Sequence, residues 1–406
     1  MLLSLALIFL CGLLMASIFE KLRLPRLLGM ILTGILLGPS VLNWLDGSVL
    51  SISADLRQIA LIIILTRAGL SLNIKDLKKV GRPAVLMCFV PACFEIGGML
   101  LLAPPLLGIS LLDAAIMGAV LGAVSPAVIV PKMLKLMETG YGVKKSIPQM
   151  ILAGASVDDV FVIVIFTAMT GLAQSGSFSA LSFLNIPISI VLGLAVGIGC
   201  GFGLHFLFRF LPMRNTLKML VVLSVGFLLS VLENTIKSWV PMSAMLGVMA
   251  MGLVLFRSSP TVAKGLSEKF AKLWVPGEIL LFVLVGATVD IKYAVSAGFA
   301  PVLLILGALC FRVIGVFCCM LGTKLNIKER LFCMVAYLPK ATVQAAIGGV
   351  PLAMGLGCGQ IVLTVAVLGI LITAPLGALG IDLTYRRWLK KEEPEQQTLP
   401  DSLSEK

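Results

Sequence analysis

Charge is scarce in this 406-residue sequence: 13% of the residues are Asp, Glu, Lys or Arg, where a soluble domain carries about 25%. Histidine occurs once, and 59% of the chain is hydrophobic. So little charge excludes an ordinary solvated surface. The nine cysteines fall almost wholly within apolar runs and show no metal-ligand spacing, which argues against a disulfide framework or a cysteine metal centre. No metal triad, nucleophile elbow or phosphate loop occurs, and no extramembrane stretch is long enough for a catalytic domain. An enzyme is not expected, nor a cofactor. The first apolar run has no basic segment before it and another follows almost at once, so it reads as a mature helix rather than a signal peptide.

What is present is a succession of apolar runs of membrane-spanning length. A helix rising about 1.5 Å per residue crosses a hydrocarbon core of about 30 Å in roughly 20 residues. Spans are expected near 2–19, 27–45, 56–72, 84–106, 110–131, 147–170, 183–208, 217–232, 240–256, 275–290, 298–322, 330–350 and 356–380. This is an all-α polytopic membrane protein of about thirteen transmembrane helices.

The connections alternate in charge. Arg57, Lys237 and Lys292 lie on one side, Arg67, Arg312 and Lys340 fall inside spans, and every other lysine and arginine gathers on the opposite side. The positive-inside rule makes that rich side cytoplasmic. The N-terminus is then outside and the C-terminus inside, as an odd number of spans requires. The net charge of +12 is a topology signal, not a nucleic-acid footprint. Residues 385–406 form a polar cytoplasmic tail.

A charge at mid-membrane costs at least about 2.5–3.5 kcal/mol on insertion scales, so each exception carries information. Glu95 lies in the fourth span, Asp158 and Asp159 in the sixth ("LAGASVDDVFVIVIF"), Arg312 in the eleventh and Lys340 in the twelfth. The first half-chain contributes three carboxylates and the second two cations. Adjacent helical residues point about 100° apart. One aspartate can therefore face a water-filled cavity while its neighbour turns toward a protein partner. Desolvation favours a carboxyl's neutral form and a nearby cation its ionised form. Such a site holds a proton or a metal cation, each disfavouring the other, which is the chemistry of a cation–proton exchanger. Glu95 and Arg312 can instead form a static buried pair. Lys340 can neutralise a carboxylate or compensate the negative end of a broken helix. Arg67 is expected to snorkel to the cytoplasmic face, and His205 to pack.

Two spans stand out for their interior prolines: "AIMGAVLGAVSPAVIVPKM" with Pro126 and Pro131, and "FCMVAYLPKATVQAAIGGVP" with Pro339. Each frees backbone groups that lipid cannot satisfy, so each break must be buried or line a cavity. Both interrupted spans follow one with a mid-depth charge and precede a long span. The two triplets start from opposite sides of the membrane. An inverted repeat with two broken crossing helices is expected, the usual architecture of an ion site at the midplane. Core helices would span about 84–170 and 298–380.

"ASVDDV" (155–160) and "LPKATVQAAIG" (338–348) together resemble the monovalent cation:proton antiporter superfamily, and within it the 9B-type sodium/hydrogen exchangers and their bacterial relatives. The likeness covers about residues 1–384. It implies a membrane antiporter domain that works as a homodimer. A core moves in elevator fashion against scaffold and dimerisation helices at about 2–45 and 183–256. A bacterial inner (plasma) membrane, sodium export and pH homeostasis are the implied setting. Asp159 matches the aspartate that carries Na⁺, Li⁺ or H⁺, and Asp158 matches its neighbour. Arg312 stands where electrogenic members place a lysine, Glu95 matches the acidic partner of that arginine, and Lys340 matches a structural lysine. Ser125, Ser156 and Thr342 are candidate oxygen ligands. Arginine stays protonated, with a pKa above about 12, which favours one-for-one, electroneutral exchange. The alternatives are an electrogenic or K⁺-using antiporter, a sodium-coupled solute symporter on a similar scaffold, or a channel. Proton release on cation binding separates antiport from symport and conduction.

Overall fold

A computed structural model describes residues 1–22, 24–71, 81–175, 180–236, 240 and 242–391, with the backbone alone for 71, 156, 175 and 180–187. Arg23, Lys75, Lys78, Lys79, Lys237, the Ser156 side chain and the tail from 392 onward lie outside the described residues. The chain opens with α1 (Leu2–Lys21) and α2 (Arg26–Leu37). Gly38 closes α2, its N–H donating to the Gly34 carbonyl at 2.8 Å, so the helix stops short of the end at 45 expected for the second span. The short α3 (Gly47–Ser51) and the longer α4 (Ser53–Ser71) follow.

The first triplet comes next. Its opening span is divided into α5 (Arg82–Met87) and α6 (Val90–Leu107). This interruption was not expected from the sequence, although Pro91 in the first turn of α6 supplies the cause, since it has no N–H to continue the ladder. The middle span is broken into α7 (Leu111–Leu121) and α8 (Pro126–Glu138). Pro126 is the first residue of α8. Ser125 before it is extended, at φ −89° and ψ 113°, as a residue preceding proline prefers. The third span, α9 (Ile147–Ser175), is continuous and carries both aspartates.

The intervening helices are α10 (Ala180–Phe210), α11 (Asn215–Ile236), α12 (Ala244–Ser258), α13 (Pro260–Ala287) and the short α14 (Ile291–Ser296). Here the sequence expectation needs correction. The sequence places Lys264, Lys269 and Lys272 in a connection, yet they lie on α13, which starts at Pro260. Ala263, Leu266, Phe270 and Trp274 bury one face of this segment. An amphipathic stretch of that kind is helical without being an apolar run.

The second triplet repeats the plan of the first: α15 (Ala300–Cys319), a broken span of α16 (Ile327–Ala336), α17 (Thr342–Ile347) and α18 (Val350–Ala353), then the long α19 (Gly359–Trp388). Asn326 and Glu329 form a capping box at the start of α16. Among the described residues, nine helical segments are long and apolar enough to cross a membrane. The four other expected spans fall on α2, α4, α12 and the broken α16–α18 segment. The protein is all-α and polytopic, with bent helices in an inverted-repeat arrangement.

Close backbone approach fixes how these helices cross. A Cβ on Gly34 of α2 would overlap the Val283 carbonyl oxygen of α13, and one on Gly286 of α13 would overlap the Ile31 oxygen of α2. Small residues allow such contact where lipid offers no hydrophobic drive. Gly34→Ala is expected to cost about 1–3 kcal/mol through overpacking and to lower the melting temperature in detergent. Gly97→Ala, whose Cβ meets nothing within 4 Å, is expected to leave it unchanged. In the core, Gly98 packs on Phe311, and Gly315 on Pro91 and Phe94, which joins α6 to α15 and brings the two triplets together.

Candidate ion-binding site

The two broken spans meet at their interruptions, where the Ser125 N–H donates to the Pro339 carbonyl at 2.8 Å. A helix end leaves carbonyls without partners, and here two such ends are buried beside each other. Three side chains satisfy them. Arg312 on α15 donates from Nη1 to the Gly122 carbonyl at 2.5 Å and from Nε to the Tyr337 carbonyl at 2.7 Å, and these two residues cap α7 and α16. Lys340 Nζ donates to the Leu121 carbonyl. Gln344 Nε2 donates to Ala123 at 2.9 Å and Val120 at 3.2 Å. Cations thus sit at two negative helix ends. Across the break, the Val124 N–H donates to Asp158 Oδ2 at 2.8 Å.

The same cations neutralise carboxylates. Arg312 Nη1 lies 2.7 Å from Glu95 Oε2 and its Nη2 lies 3.2 Å from Asp158 Oδ2. Lys340 Nζ is 2.7 Å from Glu95 Oε1. All four side chains are at 0% exposure, a position tenable only when charges are paired and hydrogen-bonded. Two carboxylates and two cations close this network. Glu95 and Arg312 therefore do pair, but as part of a chain that also holds Asp158. Lys340 takes both of its expected roles, since it meets Glu95 and a helix end together.

Asp159 stands apart from that network. Its Oδ1 is buried and accepts no hydrogen bond from the described residues, and its side chain lines a cleft of about 320 Å³ including the open mouth. Leu61 and Leu65 of α4, Ile163 of α9 and Thr342 of α17 form other parts of the wall. Thr342 Oγ1 is 3.5 Å from Ser125 Oγ, so two of the three candidate hydroxyls lie together at the crossing, while the Ser156 side chain is outside the described residues. Asp158 Oδ1 is also buried without a partner. The third break belongs to the same region, since Tyr337 donates its hydroxyl to the Met87 carbonyl at 3.1 Å where α5 ends.

The sequence did not mark the roles of Gln344, Tyr337 or Thr373, whose Oγ1 accepts from the Lys340 N–H at 3.0 Å. The available signal was their polarity within apolar spans. His205 Nδ1 lies 2.6 Å from Ser259 Oγ, linking α10 to the turn before α13, which agrees with a packing role.

A compensated ion-pair network at the crossing of two interrupted helices, beside a cleft holding one unpaired carboxylate, defines a secondary ion transporter. The family profile described as "Sodium/hydrogen exchanger, transmembrane" matches residues 5–385. Human sodium/hydrogen exchanger 9B2 is 36% identical over 383 residues, which cover 91% of this chain and 71% of that protein. Human sodium/hydrogen exchanger 9B1 is 34% identical over 381 residues, 88% of this chain and 71% of that protein. The chain belongs to the sodium/hydrogen exchanger family, on the 9B-type branch of the monovalent cation/proton antiporters. It is a transporter rather than an enzyme. Its fold matches that of the sodium proton antiporter MjNhaP1 from Methanocaldococcus jannaschii at a TM-score of 0.81 and 22% identity, over 95% of this chain and 97% of that one.

Proposed function

We propose that this chain exchanges Na⁺ or Li⁺ for H⁺ by alternating access, with cation and proton competing for Asp159. The observation that carries this reading is the unpartnered Asp159 Oδ1 in a cleft beside a closed charge network. An aspartate without a permanent counter-ion is the group that must take up a cation or a proton. Ser125, Ser156, Thr342 and the free Oδ1 of Asp158 are the further oxygen donors. The cleft lies between α4, which packs on α12 of the proposed scaffold, and α9 and α17 of the proposed core, which supports exposure to alternate sides as the core moves. Thirteen crossings, an outer N-terminus, an inner C-terminus in a plasma membrane and a homodimer through the helices at 2–45 and 183–256 complete the proposal.

Exchange is assigned as electroneutral. Arg312 holds a permanent charge and Asp158 remains its partner, so one carboxylate is left to trade one cation for one proton. The test is antiport in proteoliposomes with a pH-sensitive dye. NaCl and LiCl are expected to move protons outward in response to the cation, at a rate unchanged by a clamped membrane potential. The apparent KM for Na⁺ should rise as pH falls, because protons occupy the same oxygen. A rate that follows the potential would replace one-for-one exchange by an electrogenic ratio. A response to KCl alone would change the cation, and no response at all would remove the antiport reading.

A further inference from the structure

One buried cation has no part in the charge network. Arg57 on α4 is 8% exposed. Among the described residues its one side-chain hydrogen bond runs from Nε to the Ser53 carbonyl on its own helix at 3.3 Å, and no carboxylate pairs with it. A guanidinium withdrawn from water without a counter-charge is costly, so its position calls for a reason.

Its place along the cleft supplies one. α4 lines the cleft with Leu61, Ile64, Leu65 and Ala68. Arg57 is four residues before Leu61, one helical turn further along the same face. On the opposite wall α17 contributes Ile347, and Gly349 follows two residues later, in the link to α18. These two positions, each just past the lining of its own wall, touch. A Cβ on Gly349 would overlap Arg57 Nη1 and would lie 3.2 Å from Arg57 Cζ. The guanidinium therefore fills the space that glycine leaves, beside the carbonyl end of α17. α4 packs on α12, which lies within the proposed scaffold, and α17 lies within the proposed core, so under the exchange reading the contact exists in one relative position of the two and parts when they slide.

We propose that Arg57 is the gate residue at this end of the cleft. Docked on Gly349, its guanidinium closes the seam between α4 and α17, and its charge repels cations approaching Asp159 from that side. The assignment rests on the exchange reading, and in the orientation proposed there this end is extracellular.

Two measurements test it. In right-side-out and inside-out vesicles, Arg57→Gln and Arg57→Glu are expected to lower the KM for Na⁺ offered from the outer side several-fold, Glu more than Gln. Arg57→Lys should stay close to wild type, and the KM from the inner side should not move. Charge-ordered, one-sided change is not what a packing defect produces. Equal shifts from both sides, or no order among Lys, Gln and Glu, would overturn the gate. The second measurement needs no transport: in the purified protein, Arg57→Gln is expected to speed amide deuteration across residues 348–353. Unchanged deuteration would show that the guanidinium holds nothing there. A wild type that moves no protons in response to cations defeats the exchange reading and the gate with it, while deuteration still decides the docking.

Discussion

Asparagine at position 159 is expected to reduce cation-evoked proton movement to the level of protein-free vesicles. The substitution keeps the size of the side chain and an acceptor oxygen, but it removes the charge proposed to alternate between Na⁺ and H⁺. The fold should tolerate it, because Asp159 Oδ1 takes no hydrogen bond from the described residues and no cation is lost with it. A melting temperature equal to or above that of wild type is therefore expected alongside complete loss of exchange. Asp158→Asn makes the informative contrast. Asp158 Oδ2 accepts from the Val124 N–H at 2.8 Å and meets Arg312 Nη2 at 3.2 Å. An asparagine there can still accept one of these bonds, yet it leaves the network with an excess positive charge, so stability should fall together with rate. The pair of variants is compared by dye dequenching and by thermal unfolding in detergent. Residual Na⁺-driven proton movement in a well-folded Asp159→Asn protein would transfer the carrier role to Asp158.

Removing Arg312 should be the most damaging single change to the fold. Its guanidinium reaches two carboxylates and the capping carbonyls of two half-helices. Arg312→Ala leaves all of them buried and short of a donor, and breaking a buried pair in this way costs about 3–5 kcal/mol. Such a loss is a large fraction of the stability of an ordinary domain, about 5–15 kcal/mol, so the yield of folded protein is expected to fall. Arg312→Lys separates charge from geometry. An ammonium on a flexible stem restores the net charge, but it cannot reproduce a planar fork with donors in fixed directions. It should recover part of the stability and leave either the Gly122 or the Tyr337 carbonyl unsatisfied. Thermal unfolding of the purified variants orders them as wild type, Lys, then Ala. An alanine variant that melts with wild type would mean that the remaining donors, Lys340, Gln344 and the Ser125 N–H, hold the crossing without it.

Much of this protein is visible without its structure because the relevant forces act on residue types. Lipid rejects charge, so the placement of Glu95, Asp158, Asp159, Arg312 and Lys340 within apolar runs marked the site. Proline removes a backbone donor wherever it stands, so Pro126 and Pro339 marked the breaks. The bias of lysine and arginine among the connections suggested an orientation, and the two motifs suggested the family. Span ends were less accessible: α13 continues through Lys264, Lys269 and Lys272 because one of its faces is apolar, which a search for uniform apolar runs does not register.

Three features belong to the tertiary structure alone. Asp158 is paired and Asp159 is not, although they are neighbours of the same chemistry, and only the rotation of α9 against α4, α15 and the crossing separates them. Lys340 and Gln344 are assigned to the carbonyls at the end of α7 because the two half-chains bring a helix end to them from more than 200 positions away. Arg57 meets Gly349 for the same reason. Residue chemistry determined which groups had to be satisfied. The phase of each helix and its packing against the others decided which partner satisfies each of them, since hydrogen bonds and ion pairs act over a few ångströms and depend on direction.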